Sequence, residues 1–353
     1  MFEKFKMDKT YSIGFYGDLT TGENYQAKYD VAEHTNVLRQ KGYSYLFEKV
    51  EPILNKSNMN IVNLETTITS INTSSLAHKK TVLHWADTEI VPKLLKSYKI
   101  EAVSLGNNHA FDYDEAGLVQ TIQLLKAENI IPFGAGHNIG ESASPFVKNI
   151  NIGQKCINLY VFGGFKYKPE YDKEFNFYSK TDKAGVFDIR PENILKLISD
   201  VKERDKDSFV VIFPHFGFDL MKTTQMQTEY AHAYIDAGAD IVIGHGPHIM
   251  NSIERYNNKV ILYGLGNFIF PANFQGKIHG YNLTAELEFT EDSSYPKVYL
   301  YPIFMDIQAN APQTRPIIES ESNYVLDLLT EGQENLKNNL VIENANGLIR
   351  IRI

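Results

Sequence analysis

The stretch Ala239-Asp240-Ile241-Val242-Ile243-Gly244-His245-Gly246-Pro247-His248 decides the fold class. Ile241, Val242 and Ile243 form a short β-branched run of the kind that is buried on both faces in a parallel sheet. Gly244, Gly246 and Pro247 then force a turn at its carboxyl end, where open α/β sheets gather their ligands. His245 and His248 are therefore presented together on a turn, which suits a pair of metal ligands better than two solvated histidines.

Outward from this stretch, short apolar runs alternate with amphipathic segments, the pattern of an α/β sheet covered by helices. Strands are predicted at Ser12–Tyr16, Asn60–Leu64, Glu101–Leu105, Ile130–Phe133, Cys156–Phe162 and Phe209–Phe213. Helices are predicted at Tyr43–Leu54, Glu89–Tyr98, Asp114–Glu128, Pro191–Glu203 and Gln225–Ala237. Late strands follow at Lys259–Tyr263, Leu283–Phe289 and Lys297–Phe304, then a helical region Asn323–Leu336 and a terminal strand Gly347–Ile353. The aperiodic stretch Lys166–Lys183 reads as a surface excursion and a candidate lid.

With 353 residues, 43% hydrophobic and 22% charged, the chain has the composition of an ordinary globular protein with a large core. A formal charge of −8 with no basic block longer than Lys79-Lys80 argues against a nucleic-acid surface, so no nucleic-acid partner is expected. Cys156 is the only cysteine, which rules out an intrachain disulfide; its apolar run predicts a buried, inert thiol. Met1-Phe2-Glu3-Lys4-Phe5-Lys6 leads into the first strand, and no stretch is apolar for long enough to be a signal peptide or membrane span. As written, the chain is expected to be soluble and cytoplasmic, reaching a membrane only through a partner.

Several residues at strand ends carry metal-binding side chains: Asp18, Glu65, Asn108, His215, His245 and His248. Carboxylate, amide and imidazole donors together suit Mn²⁺, Zn²⁺ or Fe²⁺; Ca²⁺ prefers oxygen alone and structural zinc prefers thiolates. Six donors exceed the needs of one cation, so one or two ions are expected, a carboxylate bridging them if there are two. Taken singly, Asp18 reads equally as a turn or cap residue, Glu65 as a cap or salt-bridge partner and His215 as a core histidine. His34, His78, His84, His137, His232 and His279 lie in polar connections, Gly-containing loops or a helix and are not expected as ligands. Trp85, Tyr113 and Tyr167 are candidates for shaping a cleft, with core packing the alternative.

The order of Gly17-Asp18, Asn63-Leu64-Glu65, Asn107-Asn108-His109-Ala110-Phe111-Asp112-Tyr113, Gly134-Ala135-Gly136, Pro214-His215-Phe216-Gly217, Ile235 to His248 and Tyr263-Gly264-Leu265-Gly266-Asn267-Phe268 resembles the CapA family. These are bacterial capsule and poly-γ-glutamate synthesis proteins, themselves similar to calcineurin-like metallophosphoesterases. The resemblance implies an α/β sandwich of two central mixed β-sheets flanked by helices. It also implies a domain over 1–290, with the strands and helix of 291–353 completing it.

By resemblance, Asp18, Glu65 and His248 hold one ion and Glu65, Asn108, His215 and His245 the second, with Glu65 as the bridge. His109 takes the place of a non-ligand histidine facing the substrate, able to protonate a leaving oxygen. Asp112 either orients it or caps the next helix, and Asp219 and Asn267 are candidate substrate contacts. Thr20 and Glu65 stand where the wider phosphoesterases usually carry a histidine and an aspartate, which weakens the first ion site. The implied function is a metal-dependent phosphoesterase acting on a phosphoester or anionic polymer, with capsule-synthesis proteins as partners. Alternatives are a polymer-binding accessory without turnover and a hydrolase of polymer amide bonds.

Overall fold

The computed structural model describes residues 9–27, 36–272, 279–306, 313–331 and 333–353. His34 and the Met1–Lys6 segment lie outside the described residues.

Alternation along each central strand builds four layers. In the first strand, Thr10–Leu19, Ile13 and Phe15 point into an inner core, whereas Tyr16 and Leu19 point to an outer one. Met59–Leu64 repeats this, with Ile61 inward and Val62 and Leu64 outward, and so does Ile100–Ser104, with Ala102 inward and Val103 outward. These three strands run parallel. Among the described residues they belong to a ten-stranded mixed sheet that Tyr281–Thr290 and Lys297–Met305 extend with antiparallel pairing.

A second sheet, of six strands among the described residues, packs face to face on the first. Its parallel centre is Lys155–Phe165, Ser208–His215, Ile241–Ile243 and Lys259–Leu262. Val211, Phe213, Ile241 and Ile243 share the inner core with Ile13, Phe15 and Ile61, while Val210, Ile212 and Val242 face the other way. Period-2 alternation thus gives each strand two buried faces.

Helices cover both outer faces. Leu118, Ile122 and Leu125 of Asp114–Ala127 pack on the larger sheet. Ile194, Ile198 and Val201 of Pro191–Arg204, with Ala231, Tyr234 and Ile235 of Gln225–Asp236, pack on the smaller. The result is a helix–sheet–sheet–helix sandwich, in agreement with the two mixed sheets expected. Among the described residues no helix is long and apolar enough to cross a membrane.

Two glycines let the sheets approach at one end. A Cβ on Gly106 would sit 2.3 Å from the Gly164 backbone nitrogen, so the loop after Ile100–Ser104 lies directly against Lys155–Phe165 of the other sheet. This end collects the carboxyl termini of the parallel strands from both sheets.

Several expectations are corrected. The predicted helix Tyr43–Leu54 is broken into a 3₁₀ turn, Tyr43–Leu46, and a one-turn helix, Glu51–Leu54. Pro52 cannot donate within a continuing helix and instead occupies the first turn of a new one. The terminal helical region stops at Thr330, beside Glu331 in the left-handed region at φ 45°, and resumes as Glu334–Lys337. Cys156 is exposed, because it lies beside the tight turn joining Phe146–Ile152 to Lys155–Phe165. The excursion Lys166–Lys183 contains the short helix Pro169–Lys173.

Candidate metal centre

Two strands carry their ligand candidates inside the strand. Asp18 is the penultimate residue of Thr10–Leu19, fully buried, and His215 closes Ser208–His215. Glu65 is the first residue past Met59–Leu64, where its N–H donates to the Leu19 carbonyl at 2.8 Å. His245 follows Ile241–Ile243 and bridges in parallel to His215, which puts two imidazoles from adjacent strands side by side. The turn then swings His248 back to the same point through Gly246 at φ 105° and its own φ of 60°.

The donors converge in two overlapping groups, Asp18–His215–His245 and Asp18–Glu65–His248, each with its ligand atoms within 4.8 Å of one another. Asp18 Oδ1 lies 3.5 Å from His245 Nδ1 and 3.9 Å from His215 Nδ1. Asp18 Oδ2 lies 3.5 Å from His248 Nδ1. Glu65 Oε1 lies 3.9 Å from His248 Nε2 and 4.0 Å from His215 Nε2. Asp18 is common to both groups, and Glu65, the expected bridge, also lies between His215 and His248.

The hydrogen-bond inventory fits a cation. Among the described residues, Asp18 Oδ2, both oxygens of Glu65 and Asn108 Oδ1 are buried without a hydrogen-bond partner, and a buried unpaired carboxylate is costly. Burial, then the neighbouring Asp18 and Asp219 carboxylates, pushes Glu65 well above the usual carboxylate range. Burial, then His245, holds His215 below its ordinary value and so in the neutral form that ligates metal. Asn63 sets the cage, its amide donating to Asp18 Oδ1 at 2.9 Å and lying 3.3 Å from His215 Nδ1.

Beside this cage stands a second cluster. His109 Nδ1 lies 2.6 Å from Asp112 Oδ2, which also accepts the His84 backbone N–H at 2.6 Å. Lys80 Nζ donates to Asp112 Oδ1 and, at 2.7 Å, to the Asn108 carbonyl. Asp112 is thus held against His109; the residue before the next helix is Tyr113, and among the described residues no side chain caps that helix. Burial, then Lys80, lowers the His109 pKa well below its ordinary value.

A cavity of about 610 Å³ opens over both clusters, lined by Asn108, His109 and His248 on one side and by Lys80, Val82 and His84 on another. Tyr25, Tyr171, Phe175 and Phe270 supply its aromatic wall. Trp85, Tyr113 and Tyr167 are not among its lining residues. Tyr171 and Phe175 belong to the Lys166–Lys183 excursion, which thus borders the site. Asp219 lines the cavity and is exposed. Asn267 is fully buried, with Oδ1 2.9 Å from His248 Nδ1, so it braces that imidazole from behind. Thr20 is buried and accepts the Gly22 N–H at 3.3 Å.

Sequence reasoning missed Lys80, His84 and Asn63. Asn63 carried a signal, a polar residue inside the apolar run Ile61-Val62-Asn63-Leu64. His84 sits in Val82-Leu83-His84-Trp85-Ala86, an apolar context that favours burial over a polar connection. Of the other histidines, His137 pairs with Glu141 and His232 with Glu254.

Residues 12–272 match the family described as "Bacterial capsule synthesis protein PGA_cap". The chain is 30% identical over 264 residues to the "PGA biosynthesis protein CapA" of Bacillus subtilis (strain 168), covering 74% of this chain and 64% of that protein. It is 29% identical over 237 residues to the "Capsule biosynthesis protein CapA" of Bacillus anthracis, covering 66% and 56%. A "Probable polyglutamine synthesis accessory protein" of Mycobacterium tuberculosis (strain CDC 1551 / Oshkosh) is 28% identical over 215 residues, covering 59% and 54%. The chain thus spans between about half and two thirds of the length of these relatives.

Proposed function

This chain belongs to the bacterial capsule synthesis protein PGA_cap family, and from that premise we propose that it is a divalent-metal-dependent hydrolase of the phosphoester type serving capsule or poly-γ-glutamate synthesis. The observation that carries this reading is the pair of donor groups sharing Asp18, with carboxylate oxygens buried and unpartnered at their centre. Asp18, Glu65 and His248 would hold one ion, and Asp18, His215 and His245 a second, with Asn108 Oδ1 and Glu65 as further donors. Mn²⁺, Zn²⁺ or Fe²⁺ suits this mixture, and when bound would polarise a phosphoryl group and supply a nucleophile at neutral pH.

The chain's own residues do the rest. His109 Nδ1 is committed to Asp112, which leaves Nε2 to face the leaving oxygen; because burial and Lys80 favour the neutral ring, Nε2 first takes up a proton from solvent or substrate and then passes it to that oxygen. Lys80 and the His84 backbone N–H fix both oxygens of Asp112, so the carboxylate that meets His109 Nδ1 is held in one orientation. The aromatic wall of Tyr25, Tyr171, Phe175 and Phe270 limits water around the reacting group and offers apolar surface to its organic part. Asp219, with Glu170, is a cavity-lining carboxylate in reach of substrate. Residues 1–290 and 291–353 act as one domain in this reading, since Lys297–Met305 and Leu348–Arg352 continue the larger sheet.

The test is turnover of activated phosphomonoesters and phosphodiesters by chelator-stripped protein reconstituted with Mn²⁺ or Zn²⁺. His245→Ala and Asp18→Asn should abolish it. Protein that binds neither metal after reconstitution overturns the reading. A second reading, a polymer-binding accessory without turnover, is supported by Thr20 at a position where related enzymes carry a ligand and by the accessory role in one relative's name. Binding of an anionic polymer that survives His245→Ala, with no turnover of any ester, would favour it.

A further inference from the structure

His84 is 1% exposed and lies nearly flat against His109, with ring centroids 3.6 Å apart and planes 12° from parallel. Both of its ring nitrogens are engaged. Nδ1 lies 2.9 Å from the Glu65 carbonyl oxygen, which can only accept, so Nδ1 carries the proton. Nε2 lies 2.9 Å from the Tyr25 hydroxyl, which donates to it in that tautomer. Phe270 closes a further side, edge-on with ring centroids 5.5 Å apart. The imidazole of His84 is therefore locked in plane and tautomer by groups outside the His109–Asp112 pair.

We propose that His84 is a positioning residue: a fixed flat ring that sets the plane of His109, and so aims its Nε2 at the leaving oxygen. The inference rests on the proposed role of His109 as proton donor. Asp112 alone fixes one atom of His109, Nδ1, and a single hydrogen bond leaves the ring plane able to tilt within its side-chain torsions. The His84 face removes this freedom. The His84 ring makes no hydrogen bond to His109, since both its nitrogens are spent on the Glu65 carbonyl and the Tyr25 hydroxyl.

The experiment uses the 353-residue chain, with and without zinc, and compares His84→Ala, which removes the flat surface, with His84→Phe, which keeps it. The first readout is the downfield Nδ1–H proton and the ¹⁵N shifts of His109 by NMR. The second is kcat and KM for two phosphoesters, one with a good and one with a poor leaving group. His84→Ala should broaden or erase the His109 proton and lower kcat for the poor leaving group about tenfold to a hundredfold. KM should change less than about twofold and the good leaving group should suffer little. His84→Phe should retain the proton and most of the kcat. If His84→Ala does not fold, His84→Leu fills the space without a flat ring and is read in the same way. An unchanged His109 signal in His84→Ala, equal losses on both esters, or a His84→Phe variant as impaired as His84→Ala overturns the inference. Failure of the phosphoesterase reading is separate: it appears as no turnover by the parent protein, while the NMR comparison still reports on His84.

Discussion

Nδ1 of His109 lies 2.6 Å from Oδ2 of Asp112. Because that carboxylate also receives Lys80 and the His84 N–H, it has no freedom to follow the imidazole, and the imidazole must conform to it. Asp112→Asn keeps the volume but offers an amide that can present N–H to Nδ1 and select the wrong tautomer. The expected outcome is a kcat reduced about a hundredfold, within the range that a positioned proton donor contributes. Metal content, measured by elemental analysis, should not change. A variant with near-normal kcat would remove His109 from the chemistry.

The strand-turn histidines and the carboxylates were legible in the sequence because a buried parallel strand is an apolar run and its ligand lies at or just past its end. Asp18, Glu65, His215, His245 and His248 follow this rule, and the structure brings them together. Lys80, His84 and Asn63 were not legible for two reasons. Lys80 comes from a connection without periodicity, where nothing in the sequence says which lysine turns inward. His84 and Asn63 act on neighbours distant in the chain, through contacts that exist only once the strands are registered. The sandwich itself was readable, but the hairpin strand Phe146–Ile152 was overlooked although Phe146, Ile150 and Ile152 alternate as a half-buried strand should.

Metal should stabilise the fold directly. The unpartnered oxygens of Asp18 and Glu65 lose their penalty when a cation binds the folded state and not the unfolded chain. At free metal a hundredfold above Kd, linkage gives about 2.7 kcal/mol per site. Mn²⁺ or Zn²⁺ should therefore raise the Tm of chelator-stripped protein by several degrees, followed by thermal melts monitored with circular dichroism. Asp18→Asn, which weakens the residue common to both donor groups, should cancel most of the rise. An identical rise in that variant would place the bound metal elsewhere.

Gly246 holds His215 in place by leaving room for it. A Cβ there would lie 2.7 Å from both Cδ2 and Nε2 of His215, and the backbone sits at φ 105°. Gly246→Ala is expected to displace the His215 ring and to cost about 1–2 kcal/mol in backbone strain as well. Gly347→Ala is the control, since its φ is 85° but a Cβ there meets nothing within 4 Å. Both variants should melt earlier than the parent. Gly246→Ala alone should weaken metal binding, by about tenfold in a competition titration with a fluorescent chelator. Equal metal affinity in the two variants would show that His215 does not depend on this gap.

Glu23 should make the fold sensitive to pH through a carboxyl outside the candidate metal ligands. It is 3% exposed, and burial pushes its carboxyl up to about 7 against the pull of hydrogen bonds from Thr21 Oγ1 at 2.7 Å and Asp87 N at 2.9 Å. Between pH 4.5 and about 7 the folded protein holds this proton and the unfolded chain does not. The folded state therefore binds more protons, and the Glu23 contribution to stability falls as pH rises through that window. Glu23→Gln removes the ionisation. Its stability relative to the parent should climb with pH and level off above about 7, by on the order of 2 kcal/mol in total. Urea denaturation of both proteins at about pH 5, 6, 7 and 8, a series that starts inside that window and ends about one unit above it, measures the difference directly. A difference that stays flat across the series would mean that Glu23 is ionised in the folded protein, with the Thr21 and Asp87 hydrogen bonds outweighing its burial.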